Sequence, residues 1–138
     1  SCTKPDGTVV TPTLPAPVQV IKPQTAAEVS QMLENVYAQG TLADDIKIPG
    51  YRLAVKTGTA QIPDGHGGYK DNLFMTSLAG YAPADDPQYV VLTLFNEPKT
   101  NTMSSANRSV FKKAMTQVLT HYRVMPSGSD TPLLPVTQ

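Results

Sequence analysis

Four consecutive residues, Lys56, Thr57, Gly58 and Thr59, combine a cation, two hydroxyls and a position without a side chain. They lie within RLAVKTGTAQ (52–61), whose small and aliphatic residues read as part of a strand running from Tyr51 to Ile62. An unpaired ammonium is strongly disfavoured in an apolar interior, so Lys56 must reach solvent or meet a partner. The two-residue period of a strand puts Thr57 and Thr59 on one face, with Lys56 and Gly58 on the other. Hydroxyl donors, one positive charge and a bare backbone position are the parts of an anion site that holds a carboxylate against exposed strand N–H groups. Backbone donors left free in this way also suit a developing oxyanion. The plainer alternative is an edge lysine that discourages aggregation, but it leaves the alternation of two threonines about a glycine unexplained.

Other chemical candidates are weaker. SCTK places Ser1 and Lys4 at a nucleophile–base spacing, yet Pro5-Asp6-Gly7 follows and breaks the helix that would align them. Ser105 and Asn107 in SAN read as capping residues near a helix start. His66 falls in a glycine-rich loop and His121 on a polar helix side, without a second ligand at metal spacing. Asp85 and Asp86 belong to a turn, and Cys2, the single cysteine, reads as an incidental thiol. No metal and no cofactor is expected.

The elements that position Lys56 to Thr59 can be read from periodicity. PDGTVV suggests a turn feeding a short strand at Thr8–Thr11, and Val18–Ile21 a second extended piece. A capping box, Thr25 with Glu28, opens a helix that Gly40 closes. Val29, Met32, Leu33, Val36 and Tyr37 form its expected core face. A polar turn at Asp44 and Asp45 and then Pro49-Gly50 lead into the 51–62 strand, which PDGHGG (63–68) ends. FMTSLAGYAP and QYVVLTLFNEP are two further strands joined through Ala84–Pro87 as an antiparallel hairpin. The nearly continuous apolar run Val90–Phe95 predicts a central strand covered on both faces. A last helix carries Val110, Phe111, Ala114, Met115, Val118, Leu119 and Tyr122 on one broad face. The expected fold class is α+β, an antiparallel β-sheet with flanking helices. The expected organisation is an extended arm with short strands over 1–24, a compact unit over 25–125, and a flexible tail over 126–138, the ends being rich in proline.

In 138 residues, 11 basic side chains balance 11 acidic ones, with no basic cluster, so no nucleic-acid partner is expected. No apolar run reaches the length of a membrane-spanning helix, and the N-terminus shows no signal pattern and no initiator Met, which suggests a piece of a longer chain.

The order of GYRLAVKTGTAQ, a glycine-rich loop ending GGY, TSLAGYAPADDPQYVVLTLFNEP and a helix with VFKK resembles the C-terminal part of a class B penicillin-binding protein transpeptidase domain, over about Pro5 to Pro126. These are the division and elongation DD-transpeptidases of bacterial cell walls, within the serine β-lactamase-like superfamily. The resemblance implies that Lys56 helps relay protons and that Thr57 and Thr59 bind the carboxylate of a stem peptide or a β-lactam. The Thr59 N–H would be half of an oxyanion hole, Gly58 would keep the strand edge open, and Ala60 and Gln61 would continue it. It further implies an acyl-serine reaction whose Ser-x-x-Lys and Ser-x-Asn motifs lie upstream, outside this chain, leaving the isolated chain inactive. The implied partners are stem peptides, β-lactams and the upstream half of the domain, with self-association where the missing half leaves apolar surface. The implied location is the extracytoplasmic face of the cytoplasmic membrane, through an N-terminal anchor absent here. Val55, Gln39 and Ser109 depart from residues common in the family. A non-catalytic peptide- or partner-binding module is the alternative, and a β-lactamase or sensor domain a weaker third.

Overall fold

The computed structural model describes residues 2–11, 13, 15–40, 42–99 and 103–128, without the side chains of 103 and 104. A two-residue strand β1 (Cys2–Thr3) pairs antiparallel with β2 (Val9–Val10) around a turn in which Gly7 adopts φ +84°. Cys2 and Thr3 are extended, not helical, and Ser1 lies outside the described residues, so the SCTK spacing forms no helix face. Val18–Ile21 forms no regular element and is exposed.

Helix α1 spans Pro23–Gln39. The predicted capping box is not formed. The helix starts at Pro23, whose fixed φ suits the first helical position, after an extended Lys22. Glu28 instead accepts a hydrogen bond from Gln24 Nε2 at 2.9 Å, one turn away. Gly40 does end the helix; a Cβ there would lie 2.7 Å from the Val36 carbonyl oxygen. The expected polar turn at Asp44 and Asp45 is a short helix, α2 (Leu42–Ile46), held down by buried Leu42 and Ile46.

Strands β3 (Ala54–Pro63), β4 (Tyr69–Ala82) and β5 (Tyr89–Asn96) form an antiparallel sheet in the order β3-β4-β5. β4 begins five residues before the expected Phe74, because the β3–β4 turn closes tightly. Asp64 accepts the His66 and Gly68 N–H groups at 2.7 and 3.0 Å, which holds its carboxyl below the usual aspartate range. Among the described residues β4, not β5, is the central strand. The Val90–Phe95 run is an edge: Val90 is 74% and Leu92 62% exposed, since α-helical cover reaches only the other face of β5.

Helix α3 (Met103–His121) packs on β4 and β5. Its buried stripe is Phe111, Met115 and Leu119, while Val110 and Tyr122 at the margins of the predicted face are exposed. Val55, Leu78 and Ala82 meet this stripe, and Leu42, Ile46, Tyr37 and Val124 close the core beyond the strand ends. Tyr51 Oη donates to the Val124 carbonyl at 2.6 Å, folding the chain after α3 back onto the start of the sheet.

α1 lies on the opposite face, over β3. Tyr81 Oη donates to Ser30 Oγ at 2.8 Å, and Ser30 Oγ donates to the Ala26 carbonyl at 3.0 Å. Of the predicted core face of α1, Tyr37 is buried and Leu33 half-buried. Val29, Met32 and Val36 are instead 44%, 58% and 44% exposed, because α1 rests on one strand and not on a full sheet. The buried position between them is Glu34, 2% exposed, whose carboxylate receives Arg52 Nη2 at 2.8 Å and Nε at 3.1 Å. This fork fixes α1 to the residues just before β3.

Breaking that pair strands a buried charge. Arg52→Ala should lower unfolding free energy by about 3–5 kcal/mol, and the double variant Glu34→Leu/Arg52→Met should recover most of it, as read by urea denaturation. Equal losses in both variants would show that the pair contributes no more than its packing volume.

Candidate active site

β3 is hydrogen-bonded on one side only among the described residues. Which of its backbone groups are left over follows from the register. The Glu97 N–H donates to the Phe74 carbonyl at 3.1 Å, and β4 pairs with β5 at Thr76↔Phe95 and Leu78↔Thr93. Antiparallel strands alternate hydrogen-bonded and non-hydrogen-bonded pairs, so even-numbered β4 residues turn their N–H and C=O groups toward β5 and odd-numbered ones toward β3. β3 meets these odd residues at Lys56↔Ala79, Gly58↔Ser77 and Ala60↔Met75. The N–H and C=O groups of Val55, Thr57, Thr59 and Gln61 therefore point away from the sheet, along the outer edge of β3.

The side chains divide as the pleat requires. Val55, Thr57 and Thr59 face α3, while Lys56 and Gly58 lie on the α1 face. Lys56 is exposed, and its Nζ bends to the edge to donate to the Thr57 carbonyl at 2.9 Å. Thr57 and Thr59 line a cavity of about 50 Å³ with Thr76, Asn107 and Arg108. Ala60 and Gln61 are exposed and carry the edge on until the register slips between Gln61 and Pro63. The structure thus brings Lys56, Thr57, Gly58, Thr59, Ala60 and Gln61 together as one continuous edge.

The other candidates lie elsewhere. His66 is exposed in the β3–β4 turn, and His121 stacks edge-on against Tyr122 at the end of α3. No group of three or more potential metal ligands occurs among the described residues. Ser105 and Asn107 lie inside α3, so Asn107 is not a cap. It is 3% exposed, and its Oδ1 accepts a hydrogen bond from the Thr93 hydroxyl on β5. Thr76 and Arg108 escaped the sequence reading, in which Asn107 is a cap. One signal was present: Asn107 falls four residues before Phe111, on the same stripe as Met115 and Leu119, a polar residue at a core position.

A neutral backbone edge bearing outward N–H groups, flanked by an ammonium and two hydroxyl-bearing side chains, offers hydrogen-bond donors to an extended strand or to an anion. The family model of the penicillin binding protein transpeptidase domain matches residues 4–116, and the chain belongs to that family, in its class B group. Penicillin-binding protein PbpB of Mycobacterium tuberculosis is 38% identical over 113 residues, covering 76% of this chain and 16% of that protein. The peptidoglycan D,D-transpeptidase FtsI of Buchnera aphidicola subsp. Baizongia pistaciae is 34% identical over 112 residues, covering 80% of this chain and 19% of its own length. The crystal structure of penicillin binding protein 3 from M. tuberculosis with ampicillin superposes at a TM-score of 0.72 and 31% identity, over 96% of this chain and 32% of that one. The chain therefore spans about a fifth of these curated relatives and a third of the solved structure. Among its described residues no helix is long and apolar enough to cross a membrane.

Two glycines separate the needs of the site from those of the fold. A Cβ at Gly80 would meet Val55 Cγ1 at 2.7 Å, Phe111 Cζ at 2.8 Å and the Ala54 carbonyl oxygen at 2.9 Å, whereas at Gly58 it would meet only the Ser77 hydroxyl closely, at 2.5 Å. Gly80→Ala should cost about 1–3 kcal/mol of stability by overpacking. Gly58→Ala should stay within about 1 kcal/mol of the parent, because one surface-side hydroxyl can turn away. Thermal or urea unfolding of the two variants checks the ordering.

Proposed function

We propose that this chain supplies the substrate-binding wall of a peptidoglycan DD-transpeptidase that works through an acyl-serine intermediate. The observation that carries the reading is the direction of the Thr59 N–H, outward on the open edge of β3. A serine outside this chain adds to the peptide carbonyl, and the negative charge that develops on its oxygen needs a fixed donor at hydrogen-bond distance. Thr59 N–H supplies one such donor. The Thr57 and Thr59 hydroxyls hold the carboxylate of the stem peptide, and the same contacts take the carboxylate of a β-lactam. Lys56 relays protons toward the serine motif of the opposite wall. Gly58 keeps the edge approachable, and Ala60 and Gln61 extend the strand against which the peptide lies.

In this reading the opposite wall, with the nucleophile, is the upstream half of the same domain. The whole protein is held at the extracytoplasmic face of the bacterial membrane by a segment of its own. Neither local match to the upstream serine motifs competes: in SCTK, which has the Ser-x-x-Lys spacing, Cys2–Thr3 is a strand, and in SAN, which has the Ser-x-Asn spacing, Asn107 is committed to Thr93. The compact unit over 25–125, with its arm and tail, is the portion of the domain we assign to this wall.

The isolated chain should form no covalent adduct with a fluorescent penicillin. A stoichiometric mass increase mapped to Ser1 or Ser105 would overturn this assignment of the nucleophile. The gene preceding the Ser1 codon should encode Ser-x-x-Lys and then Ser-x-Asn in frame. A frame without them would leave β3 as the edge of a non-catalytic binding module. The exposed Val90, Leu92 and Leu94 on β5 also favour association of the isolated chain with itself. Light scattering over a concentration series should show species larger than a monomer, and a constant monomer mass would refute that expectation.

A further inference from the structure

Two of the residues that line the cavity behind Thr57 and Thr59 each carry a polar atom that the fold leaves without a partner. Thr76 Oγ1 and Arg108 Nε are both buried, and neither has a hydrogen bond. Thr76 is only 7% exposed, on the α3 face of the central strand directly across from Thr59. Arg108 projects from the second turn of α3, where its Nη1 donates to Asp45 Oδ2 of α2 at 2.5 Å. That ion pair anchors one end of the guanidinium and leaves Nε without a partner.

The lining is rich in donors. Thr57, Thr59 and Thr76 contribute hydroxyls and Arg108 a cationic N–H, while no carboxylate lines the space and the Asn107 Oδ1 acceptor is occupied by Thr93. Buried polar groups are nearly always satisfied in a folded protein; the Arg108 N–H can only donate and the threonine hydroxyls can turn to donate, so one anionic acceptor satisfies the whole set. About 50 Å³ admits a carboxylate group or a few waters, and little else.

We propose that Arg108 and Thr76 are specificity-determining residues for the ligand carboxylate: Arg108 Nε–H and the Thr76 hydroxyl complete, from the α3 side, the site that Thr57 and Thr59 begin. This deepens the reading of β3 as a peptide-binding edge and rests on it. Arg108, its charge already paired with Asp45, contributes a directed N–H donor from the helix behind the strand. Lys56, on the opposite face, is left to other work. A free C-terminal carboxylate is thereby distinguished from a neutral amide at the same position.

The test uses the isotopically labelled 138-residue chain, with N-acetyl-D-alanyl-D-alanine and its C-terminal amide as probes, followed by NMR. The acid should move the Thr57 and Thr59 amide signals and the Arg108 Nε–H signal together and saturably. Arg108→Met should weaken the acid about tenfold, in line with loss of one hydrogen bond to a charged group, and leave the amide analogue unchanged. Thr76→Val, nearly isosteric, should also weaken the acid without loss of stability, since the hydroxyl it removes has no partner in the unliganded protein. It decides the matter should Arg108→Met fail to fold. If the Thr57 and Thr59 amides respond while Arg108 Nε–H stays still and the variants bind the acid like the parent, the cavity holds only water. The proposal then falls and the reading of β3 survives. If no signal responds to either probe, both fall.

Discussion

The site depends on a single constraint: β3 satisfies its backbone on one side and not on the other. Antiparallel pairing assigns alternate residues to alternate sides. The register with β4 therefore decides that Thr57 and Thr59, and not Lys56 and Gly58, present their N–H groups at the open edge. The same parity sends the threonine side chains toward α3 and the lysine toward α1. A slip of one residue would invert both assignments together. The pairing is secured where it matters, because Leu53, Ala54 and Val55, just before the motif, are fully buried.

Polar residues do much to fix the two helices against this sheet. α1 is tied through the buried Glu34 to Arg52, two residues before β3 begins. α3 is tied through Asn107 to Thr93 on β5 and through Arg108 to Asp45 on α2. Such contacts have direction, unlike apolar ones, so they set where a helix lies along a strand as well as how closely it packs. For α1, which rests on one strand and leaves Val29, Met32 and Val36 exposed, this orientation matters more than buried area.

The sequence made the motif legible because Lys56 to Thr59 are residues whose chemistry is unusual in a strand. The three-strand segment and its flanking helices were legible because their apolar periods differ. What could not be read was which side of each element would be covered. Val90–Phe95 has the composition of a central strand, yet composition reports what a strand can bury and not what stands beside it. The valine and methionine stripe of α1 misled in the same way. Pro23 began the helix ahead of the Thr25–Glu28 pattern, and local pairing with Gln24 took up the glutamate. Thr76 and Arg108 are ordinary in sequence. They acquire meaning only when the sheet register and the seating of α3 bring them to one cavity.

The contact between Val55 and Gly80 bears on how this strand can vary over time. One residue before the lysine, Val55 fills the space that a side chain on Gly80 would occupy, with Phe111 closing the third side. Positions 55 and 80 thus share one volume. A smaller residue at 55 would remove one of three obstacles only, because Phe111 Cζ and the Ala54 carbonyl oxygen would still lie 2.8 and 2.9 Å from a methyl group at 80. Position 80 is thus held bare from strand and helix at once, and a lineage can vary residue 55 without gaining the freedom to place a side chain opposite it.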